Sequence, residues 1–549
     1  MGFNHAAVFD AVAGAVPDRE CIVFGDLRLT YAQVQERANR LAHLLLAHGL
    51  TVHRPRSQLQ GWESGQDHVG LYLHNGNEYL EGEIGAKKAR AVPFNVTYRY
   101  VEDELVYLID DAAAGALVYH AAFAPILARA VPRLRRAPLL LQVADGSGHG
   151  LLPGALDYEE ALAASSPERP RTRPEPDDLY ILYTGGTTGL PKGTLWTQAG
   201  IYDAALSRLA TGVDGSSLES IAASVPLAPP TRLLAIPPFM HGAAEWAALG
   251  TMLGGSTVVI PRSTTRLDPA DVWRTIERER VQVTVMVGDA FARPLADELE
   301  RGGYDASSLT VLITGGAATS PGVKARLTAL LPQALLIDAA GSSETGTHLT
   351  QVSSFAAAPV TGLFAPDPTT CVIDEAKARV VEPGHDGIGW LARRGTIPLG
   401  YLGDPAKTTS TFPVVGGERM AVPGDRARLL ADGIVELLGR ESMTINTGGE
   451  KVFAEEVEQA LVRHPAVDDA LVVGRASDRW GQEIVAVVQL HPDVRVTDEE
   501  LIGSTAGNLA GFKRPKAIVR VGLVRRSPSG KPDYAWARQQ AEGGGRRPA

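Results

Sequence analysis

Short apolar, β-branched runs recur along the chain at 68–73, 91–96, 116–119, 139–143, 233–236, 257–260, 283–287, 309–313 and 335–337. Runs of this length bounded by turn residues read as buried strands. Between them, 31–46, 268–280 and 321–331 carry the apolar spacing of helices. Strands alternating with helices predict an α/β fold, with mainly parallel sheets flanked by helices. In such folds ligands gather at loops beyond the C-terminal strand ends.

The pattern changes near residue 440, after the strand-like 436–440. Beyond it the sequence predicts a helix over 454–462, strands over 470–473 and 484–489, a capping box Thr497-x-x-Glu500, and a last strand over 517–521. The expected division is a large domain, 1–439, and a small α+β domain, 440–549, long enough to fold alone. The segments 52–67 and 214–231 are polar or rich in Ser, Ala and Pro, and read as inserted lids or surface loops.

Composition narrows the function classes. With 549 residues, 44% hydrophobic and 21% charged, the chain can bury large cores. A net charge of −10, with no Lys/Arg block, argues against a nucleic-acid partner. No run of about 18 apolar residues predicts a membrane span. The start of the chain lacks a secretory pattern. Cys21 and Cys371 lie far apart, with neither a disulfide framework nor metal-ligand spacing, which predicts a reducing, cytoplasmic setting.

The richest chemistry lies just after the apolar run 179–182: Tyr183-Thr184-Gly185-Gly186-Thr187-Thr188-Gly189-Leu190-Pro191-Lys192-Gly193. Glycines let backbone N–H groups crowd a phosphate chain, threonines add hydroxyl donors, and Lys192 adds a cation. It is not the common nucleotide loop, because Pro191 precedes the lysine and Gly193 follows it where Ser or Thr opening a helix is required.

This loop is the first of six that together resemble the adenylate-forming superfamily of acyl-CoA synthetases, luciferases and adenylation domains. The resemblance runs from Leu29-Thr30-Tyr31 to Gly530-Lys531. The others are Pro237-Pro238-Phe239-Met240-His241-Gly242, Gly315-Gly316-Ala317-Ala318, Gly341-Ser342-Ser343-Glu344 in the loop from Asp338 to Gly346, Pro423-Gly424-Asp425 with Arg440, and Ser527-Pro528-Ser529-Gly530-Lys531. The resemblance implies an acid–thiol ligase using ATP, Mg²⁺ and coenzyme A, with a mobile small domain. It assigns Thr184 to Gly189 and Lys192 to the triphosphate, and Gly315, Ala317, Asp338, Ala339, Gly341, Ser342 and Ser343 to the adenosine and α-phosphate. Asp425 is matched to the ribose, with Arg440 as a cation beside it. Glu344 falls on the metal ligand. Lys531 falls on the catalytic lysine, and Thr184, Lys192, Glu344 and His241 join it in the catalytic set. Thr447-Gly448-Gly449-Glu450-Lys451 resembles the loop that enters for thioester formation, so Gly448, Gly449 and Lys451 are matched to coenzyme A; Lys513 and Arg514 are either coenzyme A contacts or a solvated turn.

Five positions depart from the family: Gly186 stands where Ser is usual, Ser343 where Thr is usual, Ala340 replaces an adenine-stacking aromatic, Met443 stands at the pivot where Asp or Lys is frequent, and Asn446 replaces a frequent Lys. The acyl wall is expected from Phe239, His241, Ala243, Trp246, Gly288, Asp289, Gly315 and Ala317. Around His241 and Gly448 the chain looks most like actinobacterial synthetases for steroid side-chain or other bulky polycyclic acids. A medium- or long-chain fatty acyl-CoA synthetase and a stand-alone adenylation enzyme loading a carrier-protein thiol remain alternatives. The implied partner is a small-molecule carboxylic acid, and a homodimer is left open.

Overall fold

The computed structural model describes residues 2–184, 190–354, 360–447, 450–477, 481–492, 494–507, 509–527 and 530–543. All element counts refer to these residues. The large body is built on two extended sheets. In the first, Glu20–Phe24, Thr257–Ile260, Arg232–Ala235, Val283–Met286, Val311–Gly315 and Leu335–Ser342 pair in parallel. An antiparallel extension then begins at Gly346–Ser353. In the second, Leu179–Thr184, Val92–Asn95, His68–Tyr72, Ala114–His120 and Leu139–Val143 are parallel neighbours. These central strands are buried on both faces, as His68–Tyr72 and Ala114–His120 are along their whole length. That explains why they read as continuous apolar runs instead of alternating ones.

The helices end where local chemistry ends them. Thr30 and Gln33 form a capping box that opens Tyr31–Ala47. Asp268 caps Pro269–Glu279, which stops at Arg280 in a left-handed conformation (φ 51°). Two segments differ from expectation. The loop expected to begin at Asp338 is still strand as far as Ser342, because Leu335–Ser342 turns back on Gly346–Ser353 in a tight hairpin. A Cβ on Gly341 would lie 1.9 Å from the Gly346 carbonyl oxygen, so only glycine permits that turn. Within 214–231, Ser217 caps a short helix, Leu218–Ser224.

The small body is a five-stranded sheet of Glu450–Phe453, Thr444–Thr447, Gly481–Leu490, Val467–Ser477 and Ala517–Val521. Its helices include Ala454–Val462, Asp498–Ser504 and Tyr534–Gly543. It has its own core, running from Met443 and Ile445 to Ala537 and Ala541. Thr497 and Glu500 close a capping box, with Glu500 N–H donating to Thr497 Oγ1 at 3.1 Å. The two bodies touch at Gly288–Arg301: Arg293 reaches Asp289 on its own helix and Asp468 of the small body, both at 2.8 Å.

Candidate active site

The strands on either side of the phosphate-type loop pair antiparallel. Thr184 and Lys192 face each other across Leu179–Thr184 and Lys192–Thr197. Residues 185–189 between them lie outside the described residues, as do Gly448 and Gly449. Asn95 anchors the hairpin's base: its Oδ1 accepts from Tyr183 N–H at 2.7 Å, and its Nδ2 donates to the carbonyls of Tyr183 (2.8 Å) and Met240 (2.7 Å). One side chain thereby ties the loop to the His241 segment. Lys192 pairs with Asp404, whose carboxyl it holds below the usual range.

Three loops meet at the C-terminal ends of the first parallel sheet. Gly288 has φ +54°, and a Cβ there would lie 2.8 Å from the Ala318 oxygen and 2.9 Å from Ala317 Cβ. Gly315 is as tight, with its Cβ position 2.6 Å from the Ala339 oxygen. Asp338 is already engaged: it forms an ion pair with Lys324, whose side chain is wholly buried and also donates to the Val360 carbonyl at 2.7 Å. Burial raises the Asp338 carboxyl, and Lys324 opposes the rise. Ala340 contributes no ring and packs on the cluster around Leu349 and Phe364.

The turn after Ser342 presents Glu344. Trp196 Nε1 donates to the Ser343 carbonyl at 2.8 Å, buried Arg393 donates to the Thr345 carbonyl, and Ser342 N–H donates to Thr345 Oγ1 at 2.9 Å. Tyr401 Oη donates to Glu344 Oε1 at 2.6 Å. Burial first, and then the Glu344 charge, push the Tyr401 hydroxyl up, so it stays a donor.

Asp425 and Arg440 are cross-strand partners, joined at 3.2 Å. Burial raises the Asp425 carboxyl against the pull of Arg440. Lys531 stands in the same field. Desolvation and then the Arg440 charge lower its ammonium, and Glu344 works the other way. The residue keeps an exposed face, so solvent screens part of this effect. Gly530 has φ +75°, and a Cβ there would lie 2.7 Å from the Val287 oxygen. The small body's lysine loop therefore sits directly on the end of Val283–Met286.

His241 N-caps the helix Gly242–Leu253. Burial, then Lys531 and Arg99, push its imidazole down to about 3, so it is neutral near pH 7. Ala243 and Trp246 are half-buried beside it. Phe239, expected in the acyl wall, is fully buried, with its ring 5.5 Å from that of Tyr79. Asp289 accepts from Arg293 and from Ser320 N–H, both at 2.8 Å, and so already has its partners. Lys451 lies on the hairpin Thr444–Thr447/Glu450–Phe453, opposite Asn446. Lys513 is paired to Glu456 at 2.7 Å.

Glu344, Arg440, Lys531 and His241 are thus brought into one electrostatic neighbourhood, to which the two bodies both contribute. Tyr401, Asp404, Trp196, Lys324 and Arg393 escaped the sequence reading. Among the described residues no group of three His, Cys, Asp or Glu side chains is placed to hold a metal, and no helix is long and apolar enough to cross a membrane.

Residues 9–402 match the AMP-binding enzyme family, and residues 456–531 match the AMP-binding enzyme C-terminal domain. The medium-chain acyl-CoA ligase Mig of Mycobacterium avium is 53% identical over 544 residues, covering 99% of each chain. The 3-oxocholest-4-en-26-oate–CoA ligase of Rhodococcus rhodochrous is 39% identical over 566 residues, covering 100% of this chain and 97% of its own. Among solved structures, the anthranilate CoA ligase AuaEII in complex with anthranoyl-AMP superposes with a TM-score of 0.83 at 20% identity, over 99% of this chain and 98% of its own. That last likeness concerns the fold.

Proposed function

The chain belongs to the AMP-binding enzyme family, and from that premise we propose how its residues divide the work of an ATP-dependent acyl-CoA ligase. A carboxylate oxygen attacks the α-phosphorus of ATP, the bond to the β,γ-diphosphate breaks, and acyl-AMP and pyrophosphate result. The coenzyme A thiol then loses its proton, its sulfur attacks the acyl carbonyl, and AMP leaves.

The first step brings an anion onto a polyanion, so it needs positive charge and positioning more than covalent help. The observation that supports the assignment is that the small body's lysine loop rests on the end of Val283–Met286, within electrostatic reach of Arg440, Glu344 and His241. Its ammonium bridges the two repelling anions in near-attack geometry. Thr184, Lys192 and the glycine- and threonine-rich residues between them hold the triphosphate, and Asp425 accepts from the ribose hydroxyls. Neutral His241 adds no charge that would bind the acid carboxylate away from the phosphorus.

Glu344 fits a triphosphate-bound Mg²⁺: one oxygen accepts from Tyr401, and the other is left for the cation. A single protein carboxylate completed by phosphate oxygens and waters is the usual arrangement for this ion. When bound, it neutralises triphosphate charge. For thioester formation the small domain, which begins beyond the turn Glu441–Met443, turns on the large domain, and the segment 447–451 takes the place of Lys531.

The acid is a bulky apolar one, of steroid or terpenoid type. Ala243, Gly288 and Ala317 leave room, and Trp246 supplies a broad wall. A medium-chain fatty acid is the second reading, favoured by the 53% identity to a medium-chain ligase. Pyrophosphate exchange into ATP across octanoate, hexadecanoate, 3-oxocholest-4-en-26-oate and a diterpenoid acid, with and without coenzyme A, tests both. Exchange with at least one acid, and thioester when coenzyme A is added, is the expected result. No exchange with any acid refutes the mechanism, and exchange with octanoate alone refutes the bulky acid.

A further inference from the structure

Behind the His241 segment lies a closed polar network that none of these steps uses. Glu245, in the first turn of Gly242–Leu253, is 1% exposed. Its carboxyl oxygens accept from Tyr180 Oη at 2.7 Å and from Tyr79 Oη at 3.2 Å. Tyr180 Oη in turn accepts from Trp246 Nε1 at 2.8 Å. Beneath them Lys87 and Glu83 form a fully buried ion pair at 2.5 Å, with the Lys87 ammonium 5.5 Å from the centre of the Tyr180 ring. Burial, and then Glu83, push the Glu245 carboxyl up to about 8.

A network of this kind is an expensive way to fill a core. Well-packed apolar side chains in place of a buried ion pair are often as stable or more so. What polar groups supply instead is orientation, since each hydrogen bond fixes a direction. Every member here is buried except the last. Tyr79, Tyr180, Glu83, Lys87 and Glu245 are sealed in, whereas Trp246, five residues after His241, is only half-buried. The hydrogen bonds run from a rigid interior to one side chain at the rim. Tyr180 also sits on Leu179–Thr184, the strand that ends at the phosphate-type hairpin, so the same strand sets both the hairpin and the indole.

We propose that Tyr180, held by Glu245 and Tyr79, is a positioning residue for acid selection: its hydroxyl fixes the Trp246 indole as a stationary wall of the acyl site. This rests on the ligase reading and on Trp246 lining that site. Freed of the hydroxyl, the indole turns, and the site loses its discrimination between slender and ring-bearing acids.

The test compares wild type with Tyr180→Phe, Trp246→Phe and the double variant, in pyrophosphate release with octanoate and with 3-oxocholest-4-en-26-oate. The readout is the ratio of kcat/KM for the two acids, with the KM for ATP and the melting temperature alongside. The expected result is a shift in the ratio of about fivefold or more in each single variant. The double variant should shift no further, because both changes release the same ring. Glu245→Gln, which can still accept from Tyr180, should shift the ratio less than Tyr180→Phe. A ratio unchanged in Tyr180→Phe, whatever happens to stability, overturns the proposal. So do additive shifts in the double variant, which would make the two side chains independent. Failure of wild type to exchange pyrophosphate with any acid overturns the ligase reading as well; exchange with an unmoved ratio overturns only the positioning role.

Discussion

Gly530 offers a way to disturb one half-reaction and spare the other. Its φ of +75° lies in the left-handed region, and a Cβ there would sit 2.7 Å from the Val287 oxygen, 3.1 Å from Val287 Cγ1 and 3.4 Å from Ala290 Cβ. In Gly530→Ala the left-handed conformation costs about 1–2 kcal/mol, but inside the small body, whichever way that body faces. The contact with Val287 is different, because it exists only while the lysine loop rests on the large body. The nearest atom is a backbone carbonyl, which cannot swing aside as a flexible side chain would. Overpacking of this kind costs about 1–3 kcal/mol. At about 1.4 kcal/mol per factor of ten, pyrophosphate exchange should slow by about 5- to 150-fold. Thioester formation from supplied acyl-AMP, which uses the turned orientation, should stay near the wild-type rate. Gly522→Ala, with nothing within 4 Å of its Cβ position, is the control. Equal loss in both half-reactions, or exchange at the wild-type rate, would refute the reasoning.

Lys531→Ala should abolish acyl-AMP formation and leave thioester formation from acyl-AMP largely intact, as rapid-quench assays of the two steps would show; equal loss would remove Lys531 from its role. Tyr401→Phe deletes the 2.6 Å bond to Glu344 and should weaken Mg·ATP binding by about tenfold, the low end of what a hydrogen bond to a charged group contributes. Calorimetry with and without Mg²⁺ checks this, and an equal weakening without the cation counts against it. Buried His348 is pushed down to about 3, chiefly by desolvation. The unfolded chain binds a proton there below about 6.5 and the native chain does not, so stability rises with pH through that window and is flat above it. Acidifying from pH 6.5 to 5 should therefore cost about 2 kcal/mol through this group. His348→Asn should remove that part of the slope in urea midpoints, and an unchanged slope would discard the attribution.

Much of the fold was legible because its signals are local. The helix Ala454–Val462 and the strand Ala517–Val521 lie where periodicity placed them, and both-face burial made the parallel strands readable as apolar runs. The candidate loops were legible for a related reason: glycine, proline and short hydroxyl residues mark close backbone approach wherever they fall. The hidden contacts act across sequence. Tyr401 meets Glu344 from 57 residues away, Trp196 meets Ser343 from 147, and Tyr180 meets Trp246 from 66. No spacing rule links such pairs, since only the sheet order brings them together. Phe239 illustrates the converse: it stands in the same motif as His241, yet its ring packs on Tyr79 in the core, and nothing in the motif's sequence signals that.

The pivot shows how these levels combine. Met443, at the place where the family's hinge residue falls, is only 5% exposed and belongs to the small body's core with Ile445. It must therefore travel with that body. Arg440 belongs to the other side: it ends Val435–Arg440 and is paired in register with Asp425 in the large body's sheet. The change of body therefore falls within the single turn Glu441–Met443, whose first N–H donates to the Gly424 carbonyl at 3.0 Å. Hinge residues of this kind are terminal positions that absorb a backbone change. Placing the turn there has a chemical consequence for the proposed rotation. Under that rotation Asp425 and Arg440 would stay with the large body and any nucleotide it holds, whereas Lys531, beyond the turn, would be carried away once acyl-AMP has formed. The cation that assembles the first reaction is then absent from the second, in which the leaving AMP needs the ribose contacts but not a bridge between two anions.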